Sequence, residues 1–248
     1  MDTGLVFGCA VAGLVVGAAL DGPIARLPID ERDGRRGLFT PRCHQCAAVS
    51  PRTLIPLVRL PCRVCGARPV FRTLAVEVMT AALFAGCAFR LGTRLALVAF
   101  LFLAAVVVVV AFIDIDHHRI PDRVTFPSLL VSAILITGTS IAAGHPHSLL
   151  DAALGALAFS CILCVFHVIS PAGMGFGDVK LGLLLGLYLG WISMQLVIWG
   201  LLIGSLIGVV IGVGVAAARH DRKTAFPFGP ALGVGTMVAV VLAPHLIS

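Results

Sequence analysis

Residues 95–113 read Leu-Ala-Leu-Val-Ala-Phe-Leu-Phe-Leu-Ala-Ala-Val-Val-Val-Val-Val-Ala-Phe-Ile, 19 positions without a charge. A helix needs about 20 apolar residues to cross a hydrocarbon core about 30 Å thick. The stretch therefore predicts a membrane span. A helix that is apolar on every side has no water-facing stripe, which excludes an amphipathic surface helix. Directly after it comes Asp114-Ile-Asp116-His-His-Arg-Ile-Pro121-Asp122, where the hydrocarbon would end.

The rest of the chain repeats the pattern. Of 248 residues, 59% are hydrophobic and 12% charged, and mean hydropathy is +1.05. Soluble domains carry about 25% charged residues, so a soluble enzyme, a disordered chain and a coiled coil are all excluded. Further apolar stretches lie at 3–20, 73–89, 124–143, 152–169 and 230–247. Residues 181–218 are uncharged for 38 positions, too long for one crossing, and divide near 190–195. The expected fold is all-α, a polytopic membrane helix bundle of about eight spans. Residues 1–22 form the first span, 23–72 a polar segment, and 73–248 a membrane core of about seven spans.

Orientation follows from the cations, because cytoplasmic loops are enriched in Lys and Arg. With the N-terminus outside, the polar segment and the 114–123, 170–180 and 219–223 loops hold 16 of the 18 cations. Only Arg90 and Arg94 then fall outside. This loading also accounts for the pI near 9.1. No aromatic-interleaved basic strand suggests nucleic acid, and no nucleic-acid partner is expected.

Four of the eight cysteines lie in the polar segment, as Cys43-x2-Cys46 and Cys62-x2-Cys65 with 15 residues between the pairs. That spacing fits a four-thiolate structural zinc site, in which each tight turn supplies two sulfurs. Such a site would stand in for the apolar core that a segment of this size lacks. A cytoplasmic location argues against two disulfides. A redox dithiol pair and unligated thiols remain as alternatives. Cys161 and Cys164 sit inside a span without polar partners and read as core residues, as do Cys9 and Cys87.

Carboxylates at the edge of a span are costly and mark function. One set is Asp114 and Asp116 after the third span. The other is Asp178, in Gly173-Met-Gly-Phe-Gly177-Asp178-Val-Lys180 before the sixth. The topology puts both sets on one side at one depth. Two facing carboxylates sharing one proton can hydrolyse a peptide: one draws a proton from water, the other hydrogen-bonds the carbonyl. The glycines before Asp178 let backbone pass close to a substrate. Spacing alone equally allows solvated Asp residues that cap helices. His117, His118 and Arg119 read as interfacial anchors, and Lys180 as a snorkelling anchor.

Residues 173–180 resemble the GxGD element of bacterial type IV prepilin peptidases, and 114–122 resemble their other aspartate element. The paired C-x2-C motifs, Ile55-Pro56-Leu57, residues 17–28 and Phe226-Pro-Phe-Gly-Pro230 match further family elements in order. Asp21 stands where the family's first span often exits with Asn. The resemblance implies an integral-membrane aspartic endopeptidase of the bacterial inner membrane. It would cut the leader from membrane-anchored prepilins or pseudopilins at the cytoplasmic face. It carries the catalytic pair over to Asp114 and Asp178. Asp114 is preferred because the family's first aspartate stands seven residues before its Pro, here Pro121; Asp116 is the runner-up. On a helix Asp114 and Asp116 would point to different faces, so only one serves. The resemblance also allows N-methylation of the new N-terminus with S-adenosylmethionine, with Glu77 at a matching position. The rival readings are a proton-coupled transporter and a non-catalytic zinc-stabilised scaffold. The first wants aspartates at mid-span and leaves the cysteines unexplained.

Overall fold

The computed structural model describes residues 2–26, 64–66, 70–170, 174–219 and 228–243. Among them are eight helices and no strand: α1 (Thr3–Arg26), α2 (Val70–Leu91), α3 (Ala96–His117), α4 (Asp122–Ala142), α5 (Ser148–Ile169), α6 (Phe176–Ile192), α7 (Met194–Arg219) and α8 (Gly229–Leu242). Six of these, all but α6 and α8, are long and apolar enough to cross a membrane. With 17 and 14 residues, α6 and α8 are shorter than a full crossing.

The stretch at 95–113 becomes α3, the axis of the bundle, with buried positions from Ala96 to Asp114. It packs against α1, α2, α4 and α8. A helix apolar all round suits a place where other helices surround it. The outer helices sort their residues differently from a soluble bundle. In α4 the buried line includes Thr125, Ser128, Ser132 and Ser140, while Leu130, Ile134 and Ile141 are exposed. Lipid accepts apolar side chains, whereas polar groups must find partners inside the protein. Trp191 Nε1 donates to Ser140 Oγ at 2.8 Å. The Tyr188 hydroxyl donates to the Ala99 carbonyl at 2.9 Å and lies 3.1 Å from Ser132 Oγ. Phe100 stacks on Trp191 and meets Tyr188 edge-on.

Small residues set the closest approaches. A Cβ on Gly17 would lie 2.7 Å from Glu77 Cα, and one on Gly155 would lie 2.6 Å from Gly190 Cα. Without a hydrophobic drive between helices in lipid, such backbone proximity supplies the packing. It closes the pairs α1–α2 and α5–α6. Glycines do the same elsewhere: α6 meets α5 through Gly155, Gly186 and Gly190, and α7 meets α8 through Gly204 and Gly235.

The long apolar stretch divides at Ser193, inside the expected interval. The sixth helix starts earlier than its uncharged run, at Phe176 rather than 181. Asp178 and Lys180 therefore belong to the helix, Asp178 in its first turn, where a carboxylate faces the positive helix end. Of the polar segment 23–72, residues 27–63 and 67–69 lie outside the described residues. Cys43, Cys46 and Cys62 are therefore not described. Cys65 is described and exposed.

Candidate active site

α3 stays helical through both aspartates and ends at His117. His118 closes it with φ 51°, ψ 38°, and donates its N–H to the Asp114 carbonyl at 2.8 Å. It is the one non-glycine with positive φ among the described residues. This left-handed step turns the chain sharply through Arg119 and Ile120 to Pro121, whose extended backbone opens α4.

The helical path separates the two aspartates of α3. Asp114 is buried, 5% exposed. Asp116 faces outward and pairs with Arg72 of α2 at 2.5 Å. Asp178, 6% exposed, comes from the first turn of α6. Its N–H donates to the Gly175 carbonyl at 3.1 Å. The lead-in to α6 is held by His167 of α5, whose Nδ1 donates to the Met174 carbonyl at 2.7 Å.

Ile120 joins the two carboxylates. It packs onto Gly177, where a Cβ would lie 2.9 Å from Ile120 Cβ, and onto Gly229, where one would lie 3.2 Å from Ile120 Cδ1. Gly177 precedes Asp178 in the chain, and Gly229 donates its N–H to Asp114 Oδ2 at 3.0 Å. The ends of α3 and the starts of α6 and α8 therefore meet around one side chain. Asp178 Oδ1 is buried, and no donor reaches it among the described residues.

Other polar residues take places outside this centre. Lys180 Nζ binds both carboxylate oxygens of Asp122, at 2.6 and 2.7 Å, and lies over the rings of Phe126 and Phe176. It ties α6 to α4 and does not bridge to Asp178. His117, His118 and Arg119 are exposed. Glu77 is fully buried in α2 against Gly17 of α1, one turn from Thr73, which donates to Asp21 at 3.2 Å. Among the described residues no group of three or more His, Cys, Asp or Glu could hold a metal. Sequence reasoning gave no role to Ile120, Arg72 or the Gly229 N–H. An aliphatic side chain and a backbone donor carry no motif signal, although Gly229 lay inside the quoted 226–230 stretch.

The fold and this centre define a multi-pass helical membrane protein with two buried carboxylates brought together from different helices. Residues 100–213 match the model of the type IV leader peptidase family. The chain is 35% identical over 190 residues to the prepilin leader peptidase/N-methyltransferase of Myxococcus xanthus, covering 74% of this chain and 56% of that protein. It is 32% identical over 229 residues to the protein of the same description from Aeromonas salmonicida, covering 86% and 76%. With the Bacillus subtilis protein, also so described, identity is 29% over 248 residues, covering 96% and 94%. No solved structure matches. The chain belongs to the type IV leader peptidase family.

Proposed function

We propose that this protein removes the leader peptide from membrane-anchored type IV prepilins or pseudopilins, with Asp114 and Asp178 as its catalytic pair. The observation that carries the reading is the convergence of these two buried carboxylates around Ile120. Gly175, just before α6, is exposed, and a Cβ there would lie 3.6 Å from Asp178 Oδ2, so a substrate strand can come close to that acid. In the reaction one carboxylate takes a proton from water, and the hydroxyl oxygen bonds to the scissile carbonyl carbon. The protonated carboxyl hydrogen-bonds the carbonyl oxygen as charge develops there. Collapse of the tetrahedral species breaks the C–N bond, and the leaving nitrogen takes the proton that came from water.

The cation distribution supports a cytoplasmic position for the Asp114 end of the bundle and an N-terminus outside. The protein would reside in a bacterial inner membrane. This suits a substrate whose hydrophilic leader protrudes into the cytoplasm from a membrane-embedded helix.

The second component of the proposal is a zinc ion held by Cys43, Cys46, Cys62 and Cys65. Val64 and Cys65 form a turn, and Gly66 follows with φ 70°. A turn closed by a left-handed glycine is what a chain needs to present two nearby thiolates outward, and the exposed Cys65 fits that use. Zinc would hold the segment together, and no step of cleavage runs through it. N-methylation of the new N-terminus from S-adenosylmethionine completes the proposal. It rests on the description of the relatives, and no described residue is assigned to it.

The test is cleavage in membranes carrying the full chain, with a prepilin as substrate and mass spectrometry of both fragments. The reading expects one cut at the leader boundary. With S-adenosylmethionine present, the mature fragment is expected to gain one methyl mass. An intact prepilin at full expression would return the transporter and scaffold readings.

A further inference from the structure

The two carboxylates do not have equivalent surroundings: one is met by an amide from α8, and the other keeps a buried oxygen without a donor among the described residues. Gly229, first residue of α8, donates its backbone N–H to Asp114 Oδ2 at 3.0 Å in a buried setting. A Cβ at this position would press on the same oxygen at 2.9 Å. Glycine lets that amide come within bonding distance without displacing the oxygen. Asp178 also has a glycine amide at its carboxyl, that of Gly175 at the start of its own helix, but its Oδ1 is buried and no donor reaches that oxygen among the described residues. A backbone donor favours the ionised form of the carboxylate it binds. A buried, unsolvated oxygen is much less costly on a neutral acid than on an anion.

We infer that Gly229 is a positioning residue that keeps the pair's single proton on Asp178, so that Asp114 is the group that deprotonates water. This rests on the proposed peptidase reading and divides the labour within it. A water proton moves to Asp114 while the water oxygen bonds to the carbonyl carbon. The carbonyl π pair moves onto oxygen and is met by the proton of Asp178. On collapse the C–N bond breaks, Asp114 returns its proton to the leaving nitrogen, and Asp178 recovers its own from the diol.

Other charged groups around Asp114 are already committed or shared by every variant below. His118 lies at its own helix end. Arg72 of α2 is held by Asp116, and Lys180 of α6 by Asp122 of α4. Asp21 of α1 accepts from Thr73, and Glu77 of α2 lies against Gly17 of α1. α8 has no titratable residue, so its amide is what it contributes.

The experiment is the pH profile of kcat/KM for prepilin cleavage in membranes, for wild type, Gly229→Ala and Gly233→Ala. The second variant is the structural control: its Cβ would crowd Val107 Cγ1 at 2.6 Å, one turn further along α8 and away from both acids. Gly229→Ala pushes the carboxylate off the amide. Its acid limb is expected to move to higher pH by on the order of one unit, the size of one lost hydrogen bond to a charge. Gly233→Ala is expected to lower the amount of folded enzyme and leave the limb in place. An unmoved limb in active Gly229→Ala, or equal shifts in both variants, overturns the inference. A Gly229→Ala enzyme inactive at every pH also overturns the inference, because the change is then not a shift of one limb. Cleavage by Asp114→Asn would instead sink the peptidase reading beneath it.

Discussion

Asp114 and Asp116 are two residues apart and have different fates, because a helix turns about 100° per residue. One points into the bundle, where removing a charge from water is expensive unless the site uses it. The other reaches the rim and meets Arg72. Lys180 shows the same economy. Its ammonium is two residues from Asp178, yet its partner is Asp122, and its stem passes over Phe126 and Phe176. A half-exposed pair of this kind contributes at most about 1 kcal/mol. Lys180→Met is therefore expected to leave cleavage within about threefold of wild type and to lower thermal stability slightly, measured by turnover and by melting in detergent. A loss of a hundredfold or more would place Lys180 in the reaction. At this scale the aspartates were legible because ionised side chains beside a span are rare. Ile120 was not, since one isoleucine among so many aliphatic residues has no distinguishing pattern.

The elements matter for how they hold the acids. Asp178 is fixed by α6, and α6 is fixed chiefly by α5 through Gly155, Gly186 and Gly190. Gly155→Leu would force the two helices apart at a backbone contact, with no flexible side chain to give way. It is expected to abolish folding or reduce cleavage at least tenfold, measured by yield and by turnover of the purified protein. Gly138→Leu in α4 has open space around its Cβ and is expected to behave as wild type. Equal effects of the two would contradict the packing account. The existence of eight helices was legible because runs of apolar residues stand out against so few charges. The start of α6 was not. Its first turn contains Gly177, Asp178 and Lys180, which break the apolar run, and a hydropathy reading stops where the helix already continues. The shortness of α8 was hidden for the opposite reason, since the apolar composition runs on past Leu242.

At the scale of the whole molecule, the bundle is an apolar sleeve around a buried α3, with Asp114, Asp116, Asp122 and Asp178 gathered at one end and the contacts among Phe100, Tyr188, Trp191, Ser132 and Ser140 toward the other. Arg90 at the far end of α2 donates to the Ala243 carbonyl after α8, so both ends of the bundle are tied. Cys65 and the start of α2 lead from the cysteine segment to Arg72 and so to the end of α3. Native mass spectrometry of the full chain is expected to show one zinc ion, lost in Cys43→Ser and in Cys62→Ser. A wild-type mass without metal after purification in zinc would contradict the four-thiolate proposal. The zinc proposal stands on cysteine spacing, and Cys43, Cys46 and Cys62 lie outside the described residues.

The central claim is that Asp114 of α3 and Asp178 of α6 act together on a peptide bond. The most direct measurement is prepilin cleavage in membranes by wild type, Asp114→Asn, Asp116→Asn and Asp178→Asn at equal expression. The structure-based account expects the first and third variants to lose at least a thousandfold, as when one member of an acid–base pair is removed. It expects Asp116→Asn to cleave within a few-fold of wild type. Loss in Asp116→Asn with activity kept in Asp114→Asn would move the catalytic role to the rim, and cleavage by all three would contradict the dyad altogether.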